Sequence, residues 1–154
     1  SGKDLLRAHS FGYYRHRCIS NEIAISALLA GCKVTTENEL ARGDCPYLNV
    51  NLGKVPDVLV RHFGNWHWIE VERSRKNQTD YLRLLSWLEL VRTTPQSVLT
   101  GFPSASVKVT FICRHAFERR LRADLSKRGW SALQIDSLIS FKVSLYSFEV
   151  IPLS

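Results

Sequence analysis

Two short runs of β-branched and apolar residues carry carboxylates inside them. In Val55-Pro56-Asp57-Val58-Leu59-Val60 the one acid is Asp57. In Trp66-His67-Trp68-Ile69-Glu70-Val71-Glu72 the residues alternate with period two and end on two acids. Gly64-Asn65 between the runs is a turn signal, so together they predict a β-hairpin, with Pro56 at a strand start, where a strand tolerates proline. Asp and Glu are depleted in strands, and a carboxylate withdrawn from water needs a partner. Period two sets Glu70 and Glu72 on one face, and the hairpin brings Asp57 within cross-strand reach of them. The same alternation puts Trp66 and Trp68 on that face, which conflicts with a simple apolar-in, polar-out strand.

The rest of the chain frames this hairpin. Residues up to Arg17 are basic and aromatic and read as a lead-in arm or a short helix. Ile19 to Ala30 has a helical pattern that stops at Gly31. Lys33 to Glu37 reads as a strand, and 43 to 53, with Pro46, as a loop. Thr79 to Val91 is helical with a broad apolar stripe. A Thr, Ser, Pro and Gly-rich loop, 93 to 106, leads to a strand at Val107 to Cys113. A basic helix, Ala116 to Lys127, closes on Gly129, and Phe141 to Ile151 reads as a last strand. The order helix, strand, hairpin, helix, strand, helix, strand predicts an α/β fold with a central mixed β-sheet flanked by helices. At 154 residues, one domain spanning 1–154 is expected. The chain has no methionine, so the natural protein is expected to be longer.

Twenty-one basic against 14 acidic residues give a net charge of +7 and a pI near 9.5, which favours a polyanionic partner, nucleic acid first. No apolar run is long enough to span a membrane, and no secretory signal opens the sequence. The four cysteines, Cys18, Cys32, Cys45 and Cys113, match no zinc spacing. A cytoplasmic protein with reduced thiols is expected. The five histidines form no zinc motif, and no Walker loop or G-x-S-x-G is present.

Three carboxylates on one face repel unless a cation joins them. Mg²⁺ takes oxygen ligands, one or two carboxylates with waters and a substrate phosphate. It activates water and stabilises charge on a phosphate. Val55-Pro56-Asp57, a spacer, then Ile69-Glu70-Val71-Glu72 resembles the PD-(D/E)xK signature of restriction-endonuclease-like nucleases. The resemblance covers Ile19 to Cys113 through the order of elements, and its specific residues lie in the hairpin. It implies a restriction-endonuclease-like core and an Mg²⁺ or Mn²⁺-dependent deoxyribonuclease. Asp57, Glu70 and Glu72 would be metal ligands. Glu22, on the helix side of Ile19, Ile23 and Ser26, is expected to face inward and assist.

One departure stands out. Glu72 occupies the position where the family usually has lysine, and Lys76, just beyond the strand, is the candidate to replace that charge. The run Ile69 to Lys76 followed by Tyr81, with Tyr14-Arg15-His16-Arg17 leading into Asn21-Glu22-Ile23, also resembles replication-relaxation and plasmid mobilisation proteins. This implies a role in replication or transfer of a mobile genetic element. Arg73, Arg75, Arg114, Arg119, Arg122 and Lys127 are the expected phosphate contacts. DNA is the expected partner, with RNA as an alternative, and a homodimer is compatible with the reading. A rival expectation is a non-cutting DNA-binding accessory that keeps the fold; a third is a protein-interaction domain with an incidental basic surface. In the plainest alternative Asp57 caps a turn or pairs with Arg61, and Glu70 and Glu72 line a solvent-facing hairpin.

Overall fold

The computed structural model describes residues 11–37, 39, 42, 56–72 and 77–143, the side chains of 11–16 excepted. Among the described residues ten elements run in chain order. They are α1 (Phe11–Leu29), β1 (Lys33–Thr36), β2 (Val58–His62), β3 (Asn65–Val71), α2 (Gln78–Thr93), α3 (Gln96–Thr100), β4 (Ser106–Ile112), α4 (His115–Lys127), α5 (Ala132–Leu138) and β5 (Ile139–Lys142). The five strands form one mixed sheet in the order β1-β2-β3-β4-β5. β1, β2 and β3 pair antiparallel, and β3-β4 and β4-β5 pair parallel. A parallel pair needs a crossover, and α2 with α3 supplies the first while α4 with α5 supplies the second.

Period two divides the sheet into two faces, each with its own core. On one side Leu59, Trp66, Trp68, Val107, Val109 and Phe111 pack against Leu84, Leu88, Leu121, Leu125 and Ile135 of the crossover helices. On the other, Val58, Val60, Ile69, Val71 and Ile112 meet Ile19, Ile23, Ala24 and Ala27 of α1. Both faces are therefore covered, which explains why β2 opens on a continuous apolar run, Val58-Leu59-Val60.

The helix ends follow local chemistry. Asn77 caps α2 by accepting from the Asp80 N–H at 2.8 Å. At the end of α1, Gly31 takes φ +81°, and the Cys32 N–H reaches back to the Ala27 carbonyl at 3.0 Å, a six-residue return that a left-handed glycine makes possible. No helix among the described residues is long and apolar enough to cross a membrane.

The α/β class and the central mixed sheet with helices on its faces match the expectation, while the boundaries differ. Helix α1 starts at Phe11, so part of the basic lead-in is helical. The segment 93–106 contains α3. The stretch after Trp130 holds α5 and then β5, which starts at Ile139 rather than Phe141. The expected loop at 43–53 and the far end of the expected last strand, from 144 on, lie outside the described residues.

Candidate functional site

The strand directions set the two ends of the sheet apart. β3, β4 and β5 are parallel, so their carboxyl ends lie together. β2 runs against β3, so the start of β2 lies at that same end. In sheets with parallel strands, the crevice beyond the carboxyl ends is where ligands are usually bound. Asp57, Glu70 and Glu72 all sit there.

Asp57 immediately precedes β2. Its backbone N–H donates to the Ile69 carbonyl at 3.1 Å, and its carboxylate Oδ2 accepts from the Val71 N–H at 2.8 Å. The acid therefore bridges β2 and β3 at the peptide between the two glutamates. The register of the hairpin, Val58 opposite Ile69, sets Asp57 one step further, across from Glu70. Glu70 Oε1 accepts from the Trp68 indole Nε1 at 2.8 Å. The Glu72 N–H donates to the Ile112 carbonyl at 2.9 Å, tying the end of β3 to β4. Glu70 and Glu72 are each only 4% exposed, so the reading in which they line a solvent face is overturned. None of the three acids is without a partner.

A fourth acid belongs to this end. Cys113, at the end of β4, is fully buried. Its thiol is pushed up to about 12, first by burial and then by the negative charges of Glu118 and Glu72. Glu118, in the first turn of α4, thus shares a neighbourhood with Glu72. It accepts from the Arg122 Nε at 2.9 Å and lies 3.9 Å from His115 Nδ1. A cleft of about 100 Å³ opens beside Asp57, lined also by Arg17, Ser20, Asn21, Thr36 and Glu37. Glu37 and Arg17 were not foreseen as site residues. Glu37 reaches Asp57 through the antiparallel β1–β2 pairing, its N–H donating to the Asp57 carbonyl at 3.3 Å. Twenty residues separate them in sequence, and no local signal reports that pairing.

Other expected site residues fall differently. Glu22 is exposed, whereas Ile19 and Ile23 on the same helix are buried. The inward orientation expected for Glu22 is therefore corrected: it sits one step round the helix from Ile23, which is enough to turn it to solvent. Arg122 is partly exposed and already engaged within the fold. Its guanidinium is held by Glu118 and by Asp136 Oδ1 at 3.0 Å, and it lies 4.9 Å from the centre of the Phe141 ring. Arg114, Arg119 and Lys127 are exposed. Lys76, Arg73 and Arg75 lie outside the described residues.

Among the described residues no three His, Cys, Asp or Glu side chains are grouped so that they could hold a metal ion. No protein-family model matches the chain, and neither does any characterised protein or any solved structure.

Proposed function

We propose that the protein is a metal-dependent endonuclease of the PD-(D/E)xK type, acting on DNA. The observation that carries the reading is the bond from the Val71 N–H to Asp57 Oδ2, which fastens the acid that opens β2 between the two acids that end β3. The order helix, strand, hairpin, helix, strand, on which the resemblance rests, supports it as well.

The donor set suits a hard divalent cation. It consists of carboxylate oxygens at the ends of paired strands, oriented by a peptide N–H and by an indole N–H. Mg²⁺ needs only one or two protein carboxylates, the rest of its sphere being water and substrate phosphate. Asp57 and Glu70 are the proposed ligands for Mg²⁺ or Mn²⁺, which supplies an activated water and charge stabilisation at the phosphate. Glu72 orients the attacking water through its carboxylate. Lys76 and Arg17 offer positive charge to the scissile phosphate, and Arg73, Arg75, Arg114, Arg119 and Lys127 hold the flanking backbone. A role in replication or transfer of a mobile element belongs to the same proposal.

A second reading is favoured by one observation. The Glu70 carboxylate is buried and bound to Trp68 of its own strand, as a structural acid would be. With glutamate at position 72 in place of lysine, the domain would then bind DNA without cutting it. Supercoiled plasmid incubated with Mn²⁺ separates the two. Nicking that EDTA stops, and that Asp57→Asn abolishes while the fold persists, supports the nuclease. Asparagine keeps an oxygen for the Val71 N–H and removes only the charge. Salt-sensitive binding without nicking, unaffected by Asp57→Asn, supports the accessory.

A further inference from the structure

We propose that the opposite end of the hairpin is a second binding site, one that takes a nucleotide unit between the cations Lys33 and Arg61 and the ring of Phe63. A cleft of about 600 Å³ lies there, lined by Lys33, Arg61, His62, Phe63, Trp66 and Phe102 together with loop residues near Ala105. This is the size of an ordinary small-ligand site. Every ionisable residue among the described lining is basic.

Three features of this end are costs to the fold alone. The first is charge. Lys33 and Arg61 are directly opposed across β1 and β2, and like charges in that position repel. The second is an unmet donor. Arg61 Nε is buried without a hydrogen-bond partner, while the guanidinium lies 5.4 Å from the centre of the Trp66 ring. A buried donor left unsatisfied is a penalty that an incoming acceptor removes. The third is Phe63, in the two-residue turn between His62 and Asn65. Its φ is +55°, a backbone region that a bulky side chain enters only under strain. Hairpin turns place Gly, Asn or Asp at such positions. Yet the ring is 92% exposed, so it gains little from burial, and His62 steadies it edge-on at 4.6 Å.

One class of ligand answers all three. A phosphate satisfies the opposed cations and the Arg61 donor, and a base stacks on the exposed ring. Aromatic platforms beside basic grooves bind single-stranded nucleic acid in this way. A phosphate alone, or a duplex contacted through its backbone, would leave the strained ring unused. The site stands five residues along β2 from Asp57, about 17 Å at the rise of a strand. Binding there does not depend on whether the acidic end cuts. The nucleotide unit can come free or as part of a single strand.

Fluorescence anisotropy of a short labelled oligothymidylate, with thymidine monophosphate as competitor, tests this. The wild type is expected to bind the oligonucleotide in low salt. Phe63→Asn and Arg61→Gln should each weaken it by about tenfold or more, in the range of a lost base-stacking contact. Asn tolerates positive φ, so Phe63→Asn should melt no lower than the wild type, which separates loss of the ring from loss of the fold. Lys33→Gln gives an independent check at the edge strand. Competition by the monophosphate through the same residues would assign the site to a free nucleotide; binding of the oligomer alone would assign it to a strand. Failure of both probes to bind, or binding that Phe63→Asn and Arg61→Gln leave intact, overturns the proposal. Loss only in Asp57→Asn places binding at the acidic end and overturns it too.

Discussion

Trp68 donates its indole N–H to Glu70 Oε1 across 2.8 Å, two positions along one strand and on one face of the sheet. This bond resolves the conflict in the alternating pattern of β3. The aromatic and acidic residues share a face because the tryptophan does two things. Its ring packs against Trp87, centroids 4.8 Å apart, and its nitrogen satisfies a carboxylate at the margin of the core. A buried tryptophan needs an acceptor and a buried glutamate needs a donor, and each meets the other's need.

Trp68→Phe keeps most of the ring volume and removes the donor. A hydrogen bond to a charged group contributes about 1.5–3 kcal/mol, so urea denaturation should give a stability loss of about 2 kcal/mol. The nicking assay should fall with it if Glu70 is a ligand, because the carboxylate loses one of the bonds that orient it. A variant as stable as the wild type would mean that the bond contributes nothing to the fold.

What the sequence made legible was whatever depended on neighbours along the chain. The hairpin, α2 and β4 all announce themselves by period and turn chemistry. The start of α5 was missed, although its signature is local: Ser131 and Gln134 form a reciprocal cap, which the pattern of apolar residues does not bring out. Pairings across the sheet were not legible. Glu37 beside Asp57, and Lys33 opposite Arg61, depend on where β1 docks, and a segment of some twenty residues hides that register. The orientation of Glu22 failed for a different reason. Helical spacing fixes a face only to within one residue, and Ile23 rather than Glu22 faces the core.

Tyr81 links two crossover helices. Its hydroxyl donates to Asp124 Oδ2 at 2.6 Å, and the Arg120 guanidinium lies 3.8 Å from its ring centre. Burial, then the hydrogen bond to Asp124, pushes the phenol well above its usual value. Tyr81→Phe should cost about 1.5 kcal/mol, the contribution of one hydrogen bond to a charged acceptor, measured by thermal or urea unfolding. Asp124→Asn should cost less, since an amide oxygen still accepts from the hydroxyl. Equal losses in the two variants would assign the effect to charge rather than to the bond.

His67, half-buried on β3, is held below its usual 6.5 by burial and then by the nearby charges of Lys108 and His62. Between its folded value and 6.5 the unfolded chain binds more protons than the folded one. Stability therefore rises with pH across that window and is lost as pH falls below about 6.5. The melting temperature should drop between pH 7.5 and the folded value, and His67→Gln should flatten that part of the profile. An unchanged slope in the variant would place the proton uptake on another group.

If the protein binds DNA as proposed, two arginines three positions apart on α4 should behave oppositely. Arg122 is held between Glu118 and Asp136 against Phe141, and those carboxylates raise its already high pKa, the Glu118 bond first. Its partners are within the fold. Because the side chain is 39% exposed, solvent screens the pairs, and Arg122→Ala should cost only about 1 kcal/mol of stability. DNA affinity should barely change. Arg119 is exposed on the same helix, so Arg119→Ala should leave the melting curve unchanged while weakening DNA binding and lowering its salt slope by about one released ion. The pair is measured by unfolding and by binding titrations at several salt concentrations. If Arg122→Ala removes as much affinity as Arg119→Ala without loss of stability, the ion pairs with Glu118 and Asp136 open when DNA arrives, and the helix face is a larger contact surface than its resting geometry presents.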